Sequence, residues 1–134
     1  MESFTLENAQ KIRSYRDLRV WQKSVDLVAE VYSVTKRIPR KESQNLATQL
    51  QRAAVSIPAN IAEGHGRQHL GDYLHHLSIA SGSLTELGTH LLLAERLALL
   101  PGSEVERVLL AASDVSRMLA GLTKALLARK QSLP

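Results

Sequence analysis

The chain has 134 residues, 44% hydrophobic but only 4% aromatic, with seven Gly, four Pro and no Cys. That length makes one domain able to bury about two thirds of its unfolded surface, and a core of Leu, Ala and Val favours helices over sheet. Disulfides and thiolate chemistry are excluded, the N-terminus lacks the basic start and apolar run of a secretory leader, and charges interrupt every helical stretch, so a cytoplasmic chain without a membrane span is expected.

The net charge of +4 is unevenly spread. Residues 11 to 41 carry nine Lys or Arg against three acids, residues 42 to 134 carry eight of each, and residues 1 to 10 carry two acids. The excess lies in and around the first predicted helix, which points to a polyanion-facing side or to a solvated basic face.

Residues 1 to 14 show no sustained period and are expected to form a flexible arm. From Asp17, the expected N-cap, the pattern is helical: Leu18, Trp21, Val25, Val28, Tyr32 and Thr35 form one apolar stripe, and Val20, Leu27, Val31, Val34 and Ile38 run beside it. Together they are wider than one bundle seam requires, and contact with a second copy is the simplest use of the surplus. Pro39 ends this helix.

The link Arg40-Lys41-Glu42-Ser43 leads into a second helix with Ser43 as expected N-cap. Leu46, Leu50, Ala53, Ala54, Ile57 and Ile61 share its apolar side, while Gln49, Arg52, Ser56, Asn60, Glu63 and Arg67 share the other. Pro58 sits mid-helix, where it cannot donate to the Ala54 carbonyl; because the apolar period continues to Ile61, a kink is expected rather than a stop. Gly64 and Gly66 are expected to close the helix in the left-handed conformation.

The third helix carries Leu70, Leu77, Leu84 and Leu91 at a spacing of seven, with Leu74, Ser81 and Gly88 between them. A leucine zipper is one reading; a seam within one chain is the better one, since Ser81 and Gly88 allow close approach and no ladder of charges accompanies the leucines. After Leu99-Leu100-Pro101-Gly102, Ser103 and Glu106 read as a capping box opening a fourth helix, whose seam is Val105, Val108, Ala112, Val115, Leu119, Leu122 and Leu126. Residues 129 to 134 are expected to be a polar tail. Four amphipathic helices on short links predict an all-α, antiparallel up-down-up-down four-helix bundle over residues 15 to 128.

Searching this frame for chemistry yields little. His65, His69 and His76 could lie near one another, and Asp72 and His76 are one turn apart, but zinc needs three or four convergent ligands. Gly64-His65-Gly66 ends a helix instead of opening one, so it is no phosphate cradle. Ser56 has no strained elbow or positioned histidine to activate it. Glu63 with Arg67, or Arg52 with Glu63, read first as structural ion pairs. No catalytic residue, cofactor, metal or small-molecule substrate is expected. The basic residues Arg16, Arg19, Lys23, Lys36, Arg37, Arg40 and Lys41 have a density suited to phosphate contacts, with Tyr15 the one aromatic beside them, so any binding would be backbone-directed.

Two stretches carry a resemblance. Tyr15 to Ser24 (Tyr-Arg-Asp-Leu-Arg-Val-Trp-Gln-Lys-Ser) and Gln49 to Gly64 (Gln-Leu-Gln-Arg-Ala-Ala-Val-Ser-Ile-Pro-Ala-Asn-Ile-Ala-Glu-Gly) resemble the N-terminal and central signatures of the 23S ribosomal RNA intervening-sequence proteins. The resemblance spans residues 15 to 128. It implies a small bundle assembling as a ring-shaped homopentamer, and kinship with the basic accessory protein of diversity-generating retroelements, which acts with a reverse transcriptase and nucleic acid. It implies no catalytic role. Arg52, Asn60 and Glu63 match the motif and, with Ser56 and Arg67, are expected to form a shared polar surface.

Three functions stay open on the sequence. The first is a non-enzymatic homo-oligomer whose basic surface contacts RNA or DNA. The second is a protein-interaction or scaffolding module using a groove at Val55, Ala59 and Ala62, and the third an enzyme using Glu63, His65 and Arg67.

Overall fold

The computed structural model describes residues 12–132, and the side chains of all of these except 40–43, 131 and 132. Most of the expected arm, and residues 133 and 134 of the expected tail, lie outside the described residues. A 3₁₀ turn at Tyr15–Asp17 leads into α1 (Arg19–Thr35), α2 (Arg40–His65), α3 (Leu70–Arg96) and α4 (Gly102–Ser132), with no strand among the described residues. The expected all-α four-helix bundle is what forms. Each helix packs on its two neighbours in ring order, α1 on α2, α2 on α3, α3 on α4 and α4 on α1.

Cross-helix contacts give the direction. Ser56 meets Ser83 and Asn60 meets His76, so α3 descends as α2 climbs; Arg37 meets Glu104 and Glu30 meets Arg107, so α4 runs against α1. A link of four residues between α2 and α3 cannot carry the chain back along a helix of 26 residues, which by itself forces antiparallel neighbours.

The core is built from the periodic faces. Leu50, Ala53, Ala54, Ile57 and Ile61 of α2 are buried as expected, and α2 runs through Pro58 without interruption. In α1 the inward stripe is Val20, Leu27, Val31, Val34 and Ile38, whereas Val25 and Tyr32 of the other stripe are 39% and 42% exposed. In α3 the leucines at 77, 84 and 91 are buried, but their alternating partners are Ala80, Leu87 and Ala94; Ser81, expected in the seam, is exposed. Alanine at 80 and 94 lets the neighbouring helix approach without burying a hydroxyl that lacks a partner.

Several helix ends differ from expectation. Asp17 ends the 3₁₀ turn and accepts the Arg13 backbone N–H at 2.8 Å, while Leu18 takes the N-cap position of α1. Pro39, not Ser43, stands at the N-cap of α2, so residues 40–43 form a helical turn instead of a link. No described glycine has a positive φ: Gly66 closes α2 in a right-handed conformation, with φ −79° and ψ −5°. α4 opens two residues early, with the N–H groups of Glu104 and Val105 donating to the Pro101 carbonyl at 3.1 Å, which places Ser103 within the first turn. It also runs on to Ser132, past Arg129.

The end of α3 departs most from sequence logic. The Leu99 N–H donates to the Ala94 carbonyl and the Ala98 N–H to the Glu95 carbonyl, both at 2.9 Å, which is the Schellman closure. Its left-handed position is held by Ala98, with φ 58°, where a Cβ crowds the carbonyl. We therefore expect Ala98→Gly to stabilise the fold by ~1 kcal/mol, read as a higher urea midpoint at unchanged slope. An unchanged or lower midpoint would show that the left-handed alanine carries no strain.

Candidate functional site

The polar side of α2 meets α3 along a ladder of short side chains. Ser83, buried on α3, donates to Ser56 Oγ at 2.8 Å; Asn60 Nδ2 donates to Ser56 Oγ at 3.1 Å and to the Ser56 carbonyl at 2.8 Å. Asn60 Oδ1 lies 3.1 Å from His76 Nδ1, and Glu63 Oε2 is 4.0 Å from the same nitrogen. Arg67 closes the line by donating to Glu63 Oε1 at 2.8 Å. Ser56, Asn60, Glu63 and Arg67 are thus brought together, as expected for one polar surface.

Arg52 is not part of it. It is exposed beside Tyr32, Thr48, Gln51, Val55 and Ser56 around a depression of about 360 Å³ between α1 and α2, and Glu63 pairs with Arg67 instead. Nor does Asp72 take His76, whose ring nitrogen faces Asn60.

Gly64 explains why the ladder is so short. A Cβ there would sit 2.8 Å from His76 Cβ, 3.0 Å from Tyr73 Cδ1 and 3.2 Å from the Tyr73 carbonyl, so α2 and α3 meet there at a distance that only glycine permits. The residue read as a left-handed cap is a contact point. Beside it His65 packs edge-on to the Tyr73 ring at 5.8 Å, and burial pushes the Tyr73 hydroxyl up to about 12. Ser83 and Tyr73 are not singled out from the sequence, and His76 is considered there only as a metal ligand or a partner for Asp72. Ser83 could have been suspected, because a serine beside Leu84 and Leu87 at a core register needs a partner.

The ladder's hydroxyls, amide and ring nitrogen bond to one another across a packed seam. Among the described residues no three His, Cys, Asp or Glu converge where a metal ion could be held. No described helix is long and apolar enough to cross a membrane.

The basic residues lie at both ends of α1. Arg16, Arg19, Lys23, Lys36 and Arg37 are exposed; Arg40 and Lys41 open α2, and their side chains lie outside the described residues. Arg16 stands over the Tyr15 ring, 6.0 Å from its centroid. Arg37 is engaged by Glu104 at 3.4 Å, and Arg107 bridges Glu104 at 2.8 Å and Glu30 at 3.1 Å. The hydrogen bond from Arg107, aided by the charges of Arg107 and Arg37, holds the Glu104 carboxyl below its ordinary range. Between the two ends, Val25 and Tyr32 of α1 and Val55 and Ala59 of α2 stay exposed.

Comparison with known proteins bears on these surfaces. A family model described as 23S rRNA-intervening sequence protein matches residues 16–121. Among solved structures, a protein of unknown function from the S23 ribosomal protein family of Bacteroides thetaiotaomicron superposes with a TM-score of 0.72 at 23% identity, covering 78% of this chain and 98% of that one. No curated protein matches the chain.

Two variants test this geometry. Gly64→Ala should cost ~1–3 kcal/mol, because its Cβ meets backbone and the root of a side chain, neither of which swings aside; a urea midpoint equal to that of the unaltered chain would refute the close approach. For Glu104 the folded pKa lies below the unfolded one, so its contribution is present above the unfolded value and lost as pH falls through the folded one. Urea midpoints of Glu104→Gln and the unaltered chain should therefore differ near neutrality and converge in acid; a constant gap across that range would contradict the pairing.

Proposed function

The chain belongs to the 23S rRNA-intervening sequence protein family, and from that membership we propose that it is a non-enzymatic homo-oligomer that binds nucleic-acid backbone, RNA foremost, through exposed cations. The observation that carries this reading is the state of the cations in the segment holding the excess charge. Arg16 and Lys23, at the start of α1, are exposed and form no ion pair among the described residues. Phosphates neutralised by such groups release counterions, and the gain is indifferent to base sequence. Tyr15 packs against Trp21 at 5.1 Å between ring centroids, so its stacking face serves the fold first.

Self-association is supported by the apolar surface the bundle leaves over. Val25, Tyr32 and Val55 are 39%, 42% and 43% exposed on adjacent helices, and Ala59 keeps the surface between them low. A second copy covering this face would remove it from water at about 25 cal/mol per Å² of apolar area. A ring of copies, five by the family resemblance, would present the same weak cationic patch several times, and linked weak contacts raise affinity by orders of magnitude when geometry lets them act together.

The same face also favours the competing reading, a scaffolding module that takes a foreign helix and never touches nucleic acid. The two separate cleanly. Light scattering should give a mass that is a multiple of the 14.8 kDa chain, and Tyr32→Glu with Val55→Glu should lower it while helical content is kept. Affinity for generic RNA and duplex DNA should fall linearly with salt on logarithmic axes. A monomer with no binding at low ionic strength, but with partners that survive nuclease treatment, would replace the proposal with the scaffolding one.

A further inference from the structure

Resting on the nucleic-acid reading, we propose that the phosphate-contacting surface is one end of the bundle, the end at which α1 starts with Arg13, Arg16 and Lys23 and toward which the last turns of α4 carry Lys124, Arg129 and Lys130. The other end, at Lys36 and Arg37, is assigned a structural role.

Three observations carry the assignment. The first is topology. Pairing of Glu30 with Arg107 and of Arg37 with Glu104 runs α4 against α1, so the C-terminus of α4 arrives where α1 begins. Residues separated by most of the sequence therefore share an end.

The second is the direction of the helix dipoles. A helix N-terminus carries partial positive charge and favours acids in its first turn. α1 has no acid in its first turn, and Arg13, Arg16, Arg19 and Lys23 crowd its beginning. Placed there, cations gain nothing from the helix dipole, whereas an external anion would. Arg129 and Lys130 sit at the C-terminus of α4, where a cation is favourable. The helix dipole accounts for those two and not for Arg13, Arg16 and Lys23.

The third is what happens at the opposite end. Lys36 and Arg37 follow the C-terminus of α1, the favourable place for cations, and Glu104, in the first turn of α4, holds both Arg37 and Arg107. That end has an internal account. At the proposed end Glu63 is occupied by Arg67, Asp114 by Arg117, and Asp17 accepts a backbone N–H, which leaves Asp26 and Asp72 as the other described acids there, fewer than the cations.

The test uses the full chain with a mixed-sequence single-stranded RNA and a duplex DNA as probes. Lys124→Gln with Lys130→Gln should weaken binding of either probe about tenfold and lower the salt slope by about two, one for each lost contact, while Lys36→Gln leaves both unchanged. Melting curves confirm that each variant is folded. If the unaltered chain binds but the α4 pair keeps its affinity and slope, or if Lys36→Gln costs as much, the assignment to this end is overturned while the nucleic-acid reading stands. If the unaltered chain binds neither probe at low salt, both fall.

Discussion

The molecule depends on how near α2 comes to α3 at Gly64. With hydrogen in place of a methyl group, the backbone of one helix rests against the Cβ of His76 and the carbonyl of Tyr73 on the other. At that separation side chains as short as serine can reach across, and Ser56 and Ser83 bond directly. A longer gap would leave Ser83, which is buried, with no partner, and a buried hydroxyl without one costs on the order of 1–3 kcal/mol. The ladder is therefore a register device as much as a source of stability. Sliding α3 by one turn would separate Ser83 from Ser56 and His76 from Asn60 together, and would drive a side chain into the space that Gly64 leaves open.

Pro58 belongs to the same arrangement. It removes the bond that its position would have donated to Ala54, yet the helix continues to His65. Ile57 and Ile61 on either side are fully buried, so tertiary packing holds the helical path where local propensity would abandon it. Two residues beyond the proline, the Asn60 amide adds a second donor to the Ser56 carbonyl, tying side chain to main chain on the proline's polar flank. The central segment is thus weak as an isolated helix and firm inside the bundle, which makes its structure a consequence of α1 and α3 being in place.

That dependence explains what could be read in advance. The four helices, the inward face of α2 and the polar grouping of Ser56, Asn60, Glu63 and Arg67 follow from periodicity, which is a property of one segment at a time. The choice between the two stripes of α1 does not, because both are apolar and only the neighbours decide that Leu27 turns inward while Tyr32 stays out. The leucines of α3 have the same ambiguity: a spacing of seven is compatible with partners three or four residues on, and Ala80 and Leu87 win over Ser81 and Gly88 because they bury apolar side chains where the alternatives would bury a hydroxyl or no side chain at all. Gly64 looks identical whether it serves a left-handed turn or a close contact. Ala98 is the converse, a left-handed closure made without the residue that would announce it. In the site, Ser83 itself and the true partner of His76 were hidden because the groups they bond lie on another helix.

Electrostatics show the same passage from sequence to space. Counted along the chain, residues 42 to 134 balance, and the excess belongs to the first helix and its flanks. Folding redistributes that balance. Glu30 and Glu104 are drawn into one network with Arg37 and Arg107 at the α1 terminus and the α4 start, so acids from both segments neutralise the same end. What α4 retains beyond that is basic: Arg117 is held by Asp114, and from there to Lys130 every charged residue is a cation. Antiparallel packing then lays this remainder beside the basic start of α1. The polarity of the bundle is thus fixed by the same helix directions that the Ser56–Ser83 and Arg37–Glu104 contacts enforce.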